Sequence, residues 1–416
     1  MSIVEINKWL KTNSIKNKLY IKKVKLNELS QWKFNDKKIF HKKNNFFNIQ
    51  AFNFKKKNFK WSQPLIVQKE SGILGIIKKR IKDKDYYLLQ AKNEPGNIGG
   101  LQISPTVQAT KSNYLRKHGG KKIPYLSFFN KKNIKNRILS KSQLSEQGTR
   151  FLEKFNNNIL VETKNKIFKR KNFYWFTKTD IKKMLKKKNV LNMDTISVFS
   201  SVIQKNSYDN PLNNSNLIKL KLQNFKKENK ILKNKTYFND LKHWKVKEDK
   251  IYHIYKKFFT IFFFDVIAYS REVKKWDQPI LSDFRISINC FITCNIQNTL
   301  HYLLKISAEP GLKSPKFTST ICERNISNKF NKSFGLMSFF NKKNIRLDVT
   351  YSDEGGRFYE NQSRNLVSQI SNYKTINLKK NFAWISQNQI VGLIKRNLIT
   401  IEARNLFAAY NIDKIR

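Results

Sequence analysis

The sequence predicts an α+β chain of two tandem, duplicated domains, on three observations. Its 416 residues are enough for two cores. Landmarks of the first half recur in the second at a nearly constant offset, over a period too long for a solenoid, so each copy is a whole domain. Strand-like runs outnumber helical ones and the helices come late in each half, which suits mixed sheets rather than a doubly wound one.

The landmarks run in order. Trp32, His41 and Phe46-Phe47 meet Trp244, His253 and Phe258-Phe259; Trp61-x-Gln63-Pro64 meets Trp276-x-Gln278-Pro279. Tyr87-Leu88-Leu89 and Glu94-Pro95-Gly96 meet Tyr302-Leu303-Leu304 and Glu309-Pro310-Gly311. The octapeptide SFFNKKNI stands at 127–134 and again at 338–345, and Ser145 to Phe151 is echoed by Ser352 to Phe358. We therefore divide the chain into a first repeat (1–206), a turn-rich linker (207–216) and a second repeat (217–416).

Each repeat opens on a helix-prone segment, continues with strands and closes with an amphipathic helix. Thr179 is the expected cap of one carrying Ile181, Met184 and Leu185 on one face; Ser386 precedes Ile390, Leu393 and Ile394 at the same spacing. Ahead of the first of these helices lies the densest polar set of the chain, Leu101 to Gly120. Leu101, Ile103 and Val107 alternate with Gln102, Thr106 and Gln108 as in a half-buried strand; Asn113, Tyr114, Arg116 and His118 follow before Gly119-Gly120. Cations beside neutral donors suit a phosphate with a polar body attached, as in a nucleotide sugar.

Composition narrows the class. A net charge of +54 with 13% aromatic residues first suggests nucleic acid. The lysines, however, are spread over nearly every segment, no zinc-finger or aromatic RNA-binding signature appears, and Lys, Asn, Ile and Phe share A/T-rich codons, so nucleic acid is not the expected partner. Cys290, Cys294 and Cys322 are odd in number and lack a second ligand pair, which supports neither a disulfide framework nor a zinc site. The apolar run from Phe258 to Tyr269 is too short to span a bilayer, carries Asp265 and reads as a core strand. With no secretory leader, a cytoplasmic protein without a membrane partner is expected.

Several words resemble one family in order over most of the chain: Trp61-Ser62-Gln63-Pro64-Leu65-Ile66, Glu70-Ser71-Gly72, Leu89-Gln90-Ala91-Lys92-Asn93-Glu94-Pro95-Gly96-Asn97, Ser104-Pro105-Thr106-Val107-Gln108-Ala109-Thr110-Lys111-Ser112-Asn113-Tyr114 and Pro124-Tyr125-Leu126. They look like the NDP-hexose 2,3-dehydratases of deoxysugar biosynthesis. The resemblance implies two Nudix-like domains, a homodimer, a nucleotide-linked 4-keto-6-deoxysugar such as dTDP-4-keto-6-deoxyglucose as substrate, and a downstream NAD(P)H-dependent 3-ketoreductase. Two other classes compete: a catalytically inactive nucleotide-sugar-binding protein and a basic nucleic-acid-binding protein.

Removing the C3 hydrogen and the C2 hydroxyl beside a C4 ketone requires a base, donors at the C4 oxyanion and an acid, and no redox cofactor. Candidates for proton transfer are His118, near neutrality in its ordinary pKa, and Glu94, which alternatively caps a turn. Lys92 or Tyr125 would stabilise the oxyanion or protonate the leaving hydroxyl. Lys111 and Arg116 are the expected diphosphate partners, with Asn113, Gln102 and Gln108 on sugar hydroxyls or the base edge and Trp61 stacked on the base. Gln63, Gln90, Thr106, Tyr114, Ser145 and Arg150 complete the expected wall. The second repeat has lost the Pro-Thr-Val-Gln core, so it is expected to be structural, or to hold an accessory pocket from Glu354, Arg357 and Arg404. No Nudix-box glutamate pattern is apparent, and no metal site is expected.

Overall fold

The computed structural model describes residues 1–43, 46–117, 119–129, 136–269, 271–283, 285–323 and 335–415. Among them the architecture is α+β and duplicated. In the first repeat one mixed sheet runs Asn136–Ser145, Phe155–Thr163, Gly72–Ile81, Lys84–Asn93 and Phe173–Thr177, with Leu101–Ser104 added to Lys84–Asn93 and Val107–Ala109 to Gly72–Ile81. The second repeat follows the same path through Ile345–Ser352, Gln362–Ile370, Ser287–Ile296, Thr299–Ser307 and Phe382–Ser386, with Lys316–Thr318 and Ile321–Glu323 in the added places.

Two helices join these sheets. Met193–Ser200 and Ile401–Tyr410 pack on one another, and their side chains share one apolar cluster with both core sheets. The amphipathic helices Lys178–Leu185 and Gln387–Lys395 bury the predicted faces. Ser386 caps the latter as expected, but the former is capped by Thr177 rather than Thr179: Thr177 accepts from Asp180 N at 3.2 Å, and Asp180 closes a capping box by accepting from Thr177 N at 2.9 Å.

The smaller sheets interlock the halves. The first repeat contributes Trp32–Asn35, Lys38–His41, Asn48–Lys56, Phe59–Val67 and Phe151–Leu152 to one of them, which takes Leu232–Lys235 from the second repeat onto Asn48–Lys56. The second contributes Trp244–Val246, Lys250–His253, Thr260–Ala268 and Lys275–Ser282 to the other, which takes Leu19–Val24 from the first onto Thr260–Ala268. The boundaries drawn at 206 and 217 are thus crossed in both directions. Between the two sheets lies a shared core containing Trp32, Phe47, Phe151, Trp244, Phe259 and Phe358.

Each Glu-Pro-Gly turn sits on the Gly-containing word of the opposite repeat. Gly96 N donates to Gly355 O at 2.7 Å and Gly311 N to Gly148 O at 2.7 Å. The approach is so close that a Cβ at Gly96 would lie 1.7 Å from Phe358 O, and one at Gly311 1.8 Å from Phe151 O. Glycine is there because backbone meets backbone.

The stretch from Leu101 departs from expectation. Pro105 splits it into two short strands, Leu101–Ser104 and Val107–Ala109, and the first is buried on both faces rather than half-buried. Among the described residues no helix is long and apolar enough to cross a membrane. Cys290 and Cys294 are buried free thiols.

Candidate active site

A cavity of about 210 Å³ lies where the repeats cross. From the first repeat come Lys92 at the end of Lys84–Asn93, Glu94 beyond it, Gln108 on Val107–Ala109, Asn113 on the short helix Lys111–Tyr114, Glu146, Lys154 and Asn156 around the Ser145-to-Phe151 word, and Asp194 in the first turn of Met193–Ser200. From the second come Arg271 and Glu272 on a hairpin, Trp276 and Gln278 on Lys275–Ser282, and Glu354, Gly356 and Arg357. Trp32, Phe47 and Trp276 give part of the lining an aromatic surface.

Four carboxylates face this space in unlike surroundings, Glu94, Glu146 and Asp194 buried and Glu354 half-buried. Burial opposes the ionisation of Glu94, but Lys92 (2.9 Å), Arg271 (4.0 Å) and the Gln108 amide (3.5 Å) outweigh it and hold the carboxyl below its usual range. Glu354 is pushed up to about 7, first by burial and then by the charge of Glu94, against the pull of Arg357 and Lys92. Burial also raises Glu146, despite Arg404, Lys154 and the Asn156 amide at 2.7 Å. Asp194 is raised well above the ordinary range by burial and by Glu146, Glu354 and Glu94. Burial lowers Lys154 to about 8; its ammonium donates to Glu70 O. The Arg357 guanidinium lies 4.1 Å from the Phe47 ring centre. One wall therefore holds a fixed carboxylate while the other three carboxyls are shifted towards the protonated form, the arrangement that acid–base chemistry needs.

The expected site residues divide. Lys92, Glu94, Gln108 and Asn113 line the cavity; Gln90 and Thr106 line an adjoining recess that shares Lys92, Gln108, Asn113 and Arg271 with it. Thr106 is also spent on the fold, accepting from Ile77 N at 3.0 Å and donating to Leu88 O, and Thr320 does the same in the second repeat. Gln102 is wholly buried and donates to Ser352 at 2.5 Å, away from the cavity. Lys111 and Arg116 are exposed, because the short helix turns Ser112 inward onto Glu70. Tyr114 packs on a neighbouring apolar cluster. Tyr125 does not line the cavity; its hydroxyl donates to Phe168 O at 2.7 Å and accepts from Arg170 N at 3.1 Å. His118 lies outside the described residues.

The remaining corrections share one cause, the crossing of the repeats, which brings the second copy's word to the first copy's wall. Trp61 and Gln63 lie outside the cavity: Trp61 stacks on Phe54 and Phe59, and Gln63 holds Thr149 O. Their duplicates Trp276 and Gln278 line it, with the Gln278 amide on Gly356 O at 2.8 Å and Arg271 5.9 Å from the Trp276 ring centre. Arg150 is paired with buried Asp283 at 2.9 Å, and Ser145 accepts from Lys316 at 2.7 Å. Glu354 and Arg357 do not form a separate pocket; they complete the one with Glu94. Arg404 is buried beside it, donating to Ser145 O and Ser197 Oγ.

Sequence reasoning missed Lys154, Asn156, Asp194, Arg271 and Trp276 as lining residues. One signal was legible: Gln147 stands in the first copy where the second has Glu354, so at that position only the second copy is ionisable. The swap of tryptophans makes an expected outcome. Trp276→Ala should raise KM about tenfold by removing an aromatic face from the cavity, whereas Trp61→Ala should leave KM within about threefold and cost only packing; steady-state kinetics of both variants decide it.

The family model described as NDP-hexose 2,3-dehydratase matches residues 3–202 and 217–410. Similar proteins include dTDP-4-dehydro-6-deoxy-alpha-D-glucopyranose 2,3-dehydratases of Streptomyces violaceoruber, 28% identical over 96% of this chain and 95% of the relative, and of Saccharopolyspora spinosa, 27% identical over 97% and 90%. A third, from Amycolatopsis orientalis, is 27% identical over 99% of this chain and 90% of its own length.

Proposed function

The chain belongs to the NDP-hexose 2,3-dehydratase family, and from that premise we propose that it removes water from an NDP-4-keto-6-deoxyhexose, dTDP-4-keto-6-deoxyglucose, to give the 3,4-diketo-2,6-dideoxy sugar. The observation that carries this reading is the single cavity in which Glu94, Glu146, Asp194 and Glu354 meet Lys92, Lys154 and Arg357. The C3 proton is acidified by the C4 ketone, so its removal gives an enolate. Expulsion of the C2 hydroxyl then gives an enol that tautomerises to the diketone. Electrons leave and return within the sugar, so no redox cofactor is required. Lys92, Lys154 and Arg357 supply positive charge where the C4 oxygen becomes anionic. Trp276 and half-buried Arg271 suit the base and diphosphate, the tasks expected of Trp61 and of Lys111 with Arg116.

As part of the same reading, each repeat is a Nudix-like fold, the enzyme is a cytoplasmic homodimer, and the reactive diketone passes to an NAD(P)H-dependent 3-ketoreductase. The test is to incubate purified protein with dTDP-4-keto-6-deoxyglucose, a 3-ketoreductase and NADPH, following nucleotide-sugar mass and free dTDP. A reduced product lighter than the substrate by one oxygen atom is expected, the net of one water lost and two hydrogens gained. Return of the sugar unchanged, with this and other nucleotide carriers, overturns the proposal.

A further inference from the structure

Granting the dehydration just proposed, we infer that Glu354, supplied by the second repeat, is the base that takes the C3 proton, and that Glu94 of the first repeat is the positioning residue that keeps it in that state. The two carboxylates flank one point. A methyl group built on Gly356 would lie 2.3 Å from Oε1 of Glu354 and 3.6 Å from Oε1 of Glu94, so the absence of a side chain at Gly356 leaves both oxygens facing the same space. The backbone fixes this meeting: Gly96 N donates to Gly355 O, and Glu360 N to Gly96 O at 2.9 Å.

Their partners differ. Glu94 holds Lys92, and it has Arg271 and Gln108 at longer range, which commits it to the charged form. Glu354 makes no ion pair among the described residues; its Oε1 accepts only the Gly356 N–H at 3.0 Å, leaving the carboxylate able to take a proton. At the other crossing, Gly311 sits on Gly148 and the position of Glu354 is held by Gln147, which has no such capacity. The charges around Glu354 come from every wall: Glu94 and Lys92, its own neighbour Arg357, then Glu146, Lys154 and Asp194. Burial and Glu94 bring its pKa to about 7, where a base of this kind is most effective.

The step balances on one carboxyl group. In a gluco-configured sugar the C3 hydrogen and the C2 hydroxyl lie on the same face. Glu354 takes the proton while the C3–H electron pair becomes the C3–C4 double bond of the enolate. As the C4 carbonyl re-forms, the C2–O bond breaks towards oxygen and the Glu354 acid returns its proton to the departing hydroxyl, which leaves as water.

The experiment compares wild type, Glu354→Gln, Glu354→Asp and Glu94→Gln as full-length proteins, each checked for dTDP binding by calorimetry. Glu354→Gln should lose about a thousandfold or more in kcat with dTDP affinity within about threefold, and Glu354→Asp should regain part of the loss. Glu94→Gln should move the acid limb of the kcat/KM profile down by about one pH unit, since it removes the negative neighbour. Retention of more than about a tenth of kcat by Glu354→Gln overturns the base assignment, and an unmoved limb in Glu94→Gln overturns the positioning role. Wild-type protein that leaves the sugar untouched would instead overturn the dehydratase reading itself.

Discussion

Gly96→Ala is expected to unseat the first repeat's turn from the second and to abolish turnover. The added methyl would meet Phe358 O at 1.7 Å and Gly355 O at 2.9 Å, atoms of backbone that no rotamer change can move. Relief requires separating the Glu94 turn from the Glu354 word and breaking the bonds from Gly96 N to Gly355 O and from Glu360 N to Gly96 O. Overpacking of this severity costs about 3 kcal/mol or more. Gly311→Ala is the control, because its methyl would meet Phe151 O at 1.8 Å at the crossing that carries Gln147. Both variants should unfold at lower urea concentration by comparable amounts. At a temperature where both are folded, Gly311→Ala should turn over substrate and Gly96→Ala should not. A Gly96→Ala protein within about 0.5 kcal/mol of wild type would show that the turns are not tightly docked.

Lys92→Met should have the next largest effect. It leaves Glu94 buried with Arg271 no closer than 4.0 Å and the Gln108 amide at 3.5 Å, and breaking one side of a buried pair costs about 3 to 5 kcal/mol. The pH dependence gives the sign. In wild type the folded-state pKa of Glu94 is depressed, so its contribution to stability is present above the unfolded value and is lost as pH falls through the folded value, on the acid side of 4.5. Without Lys92, burial dominates and the pKa is raised. The folded state then binds the extra proton, and stability falls as pH rises above 4.5. Melts at pH 5 and pH 8 should therefore diverge for Lys92→Met far more than for wild type, with the larger loss at pH 8. Lys92→Met/Glu94→Gln should recover part of that loss at pH 8. Equal losses at both pH values would remove Glu94 as the cause.

The duplication and the α+β class were legible because tryptophans, prolines and glycines at matched positions survive where surface residues drift. Helices Lys178–Leu185 and Gln387–Lys395 showed themselves by an apolar face; Met193–Ser200 and Ile401–Tyr410 did not, being buried nearly all round and so without a polar face to set a period. At the site, Lys92, Glu94, Gln108 and Asn113 stood out as a polar set beside a turn. Trp61, Ser145 and Arg150 were misplaced because a repeated word looks alike in both copies, and only the three-dimensional crossing decides which copy faces the cavity. That crossing rests on pairings such as Leu19 with Ala268, whose partners are too remote in the chain for local pattern to reveal.

The exchanged strands also set the order in which a nascent chain can become an enzyme. Leu19–Val24 leaves the ribosome early, yet its partner Thr260–Ala268 is made only after the whole first repeat and the linker. The first repeat's smaller sheet likewise waits for Leu232–Lys235. An amino-terminal half released alone would present Asn48–Lys56 and Leu19–Val24 without these partners, the unpaired edges through which chains aggregate. Synthesis must also reach Glu354 and Arg357 before the cavity exists, so on the proposed reading a product cut short of them is inert.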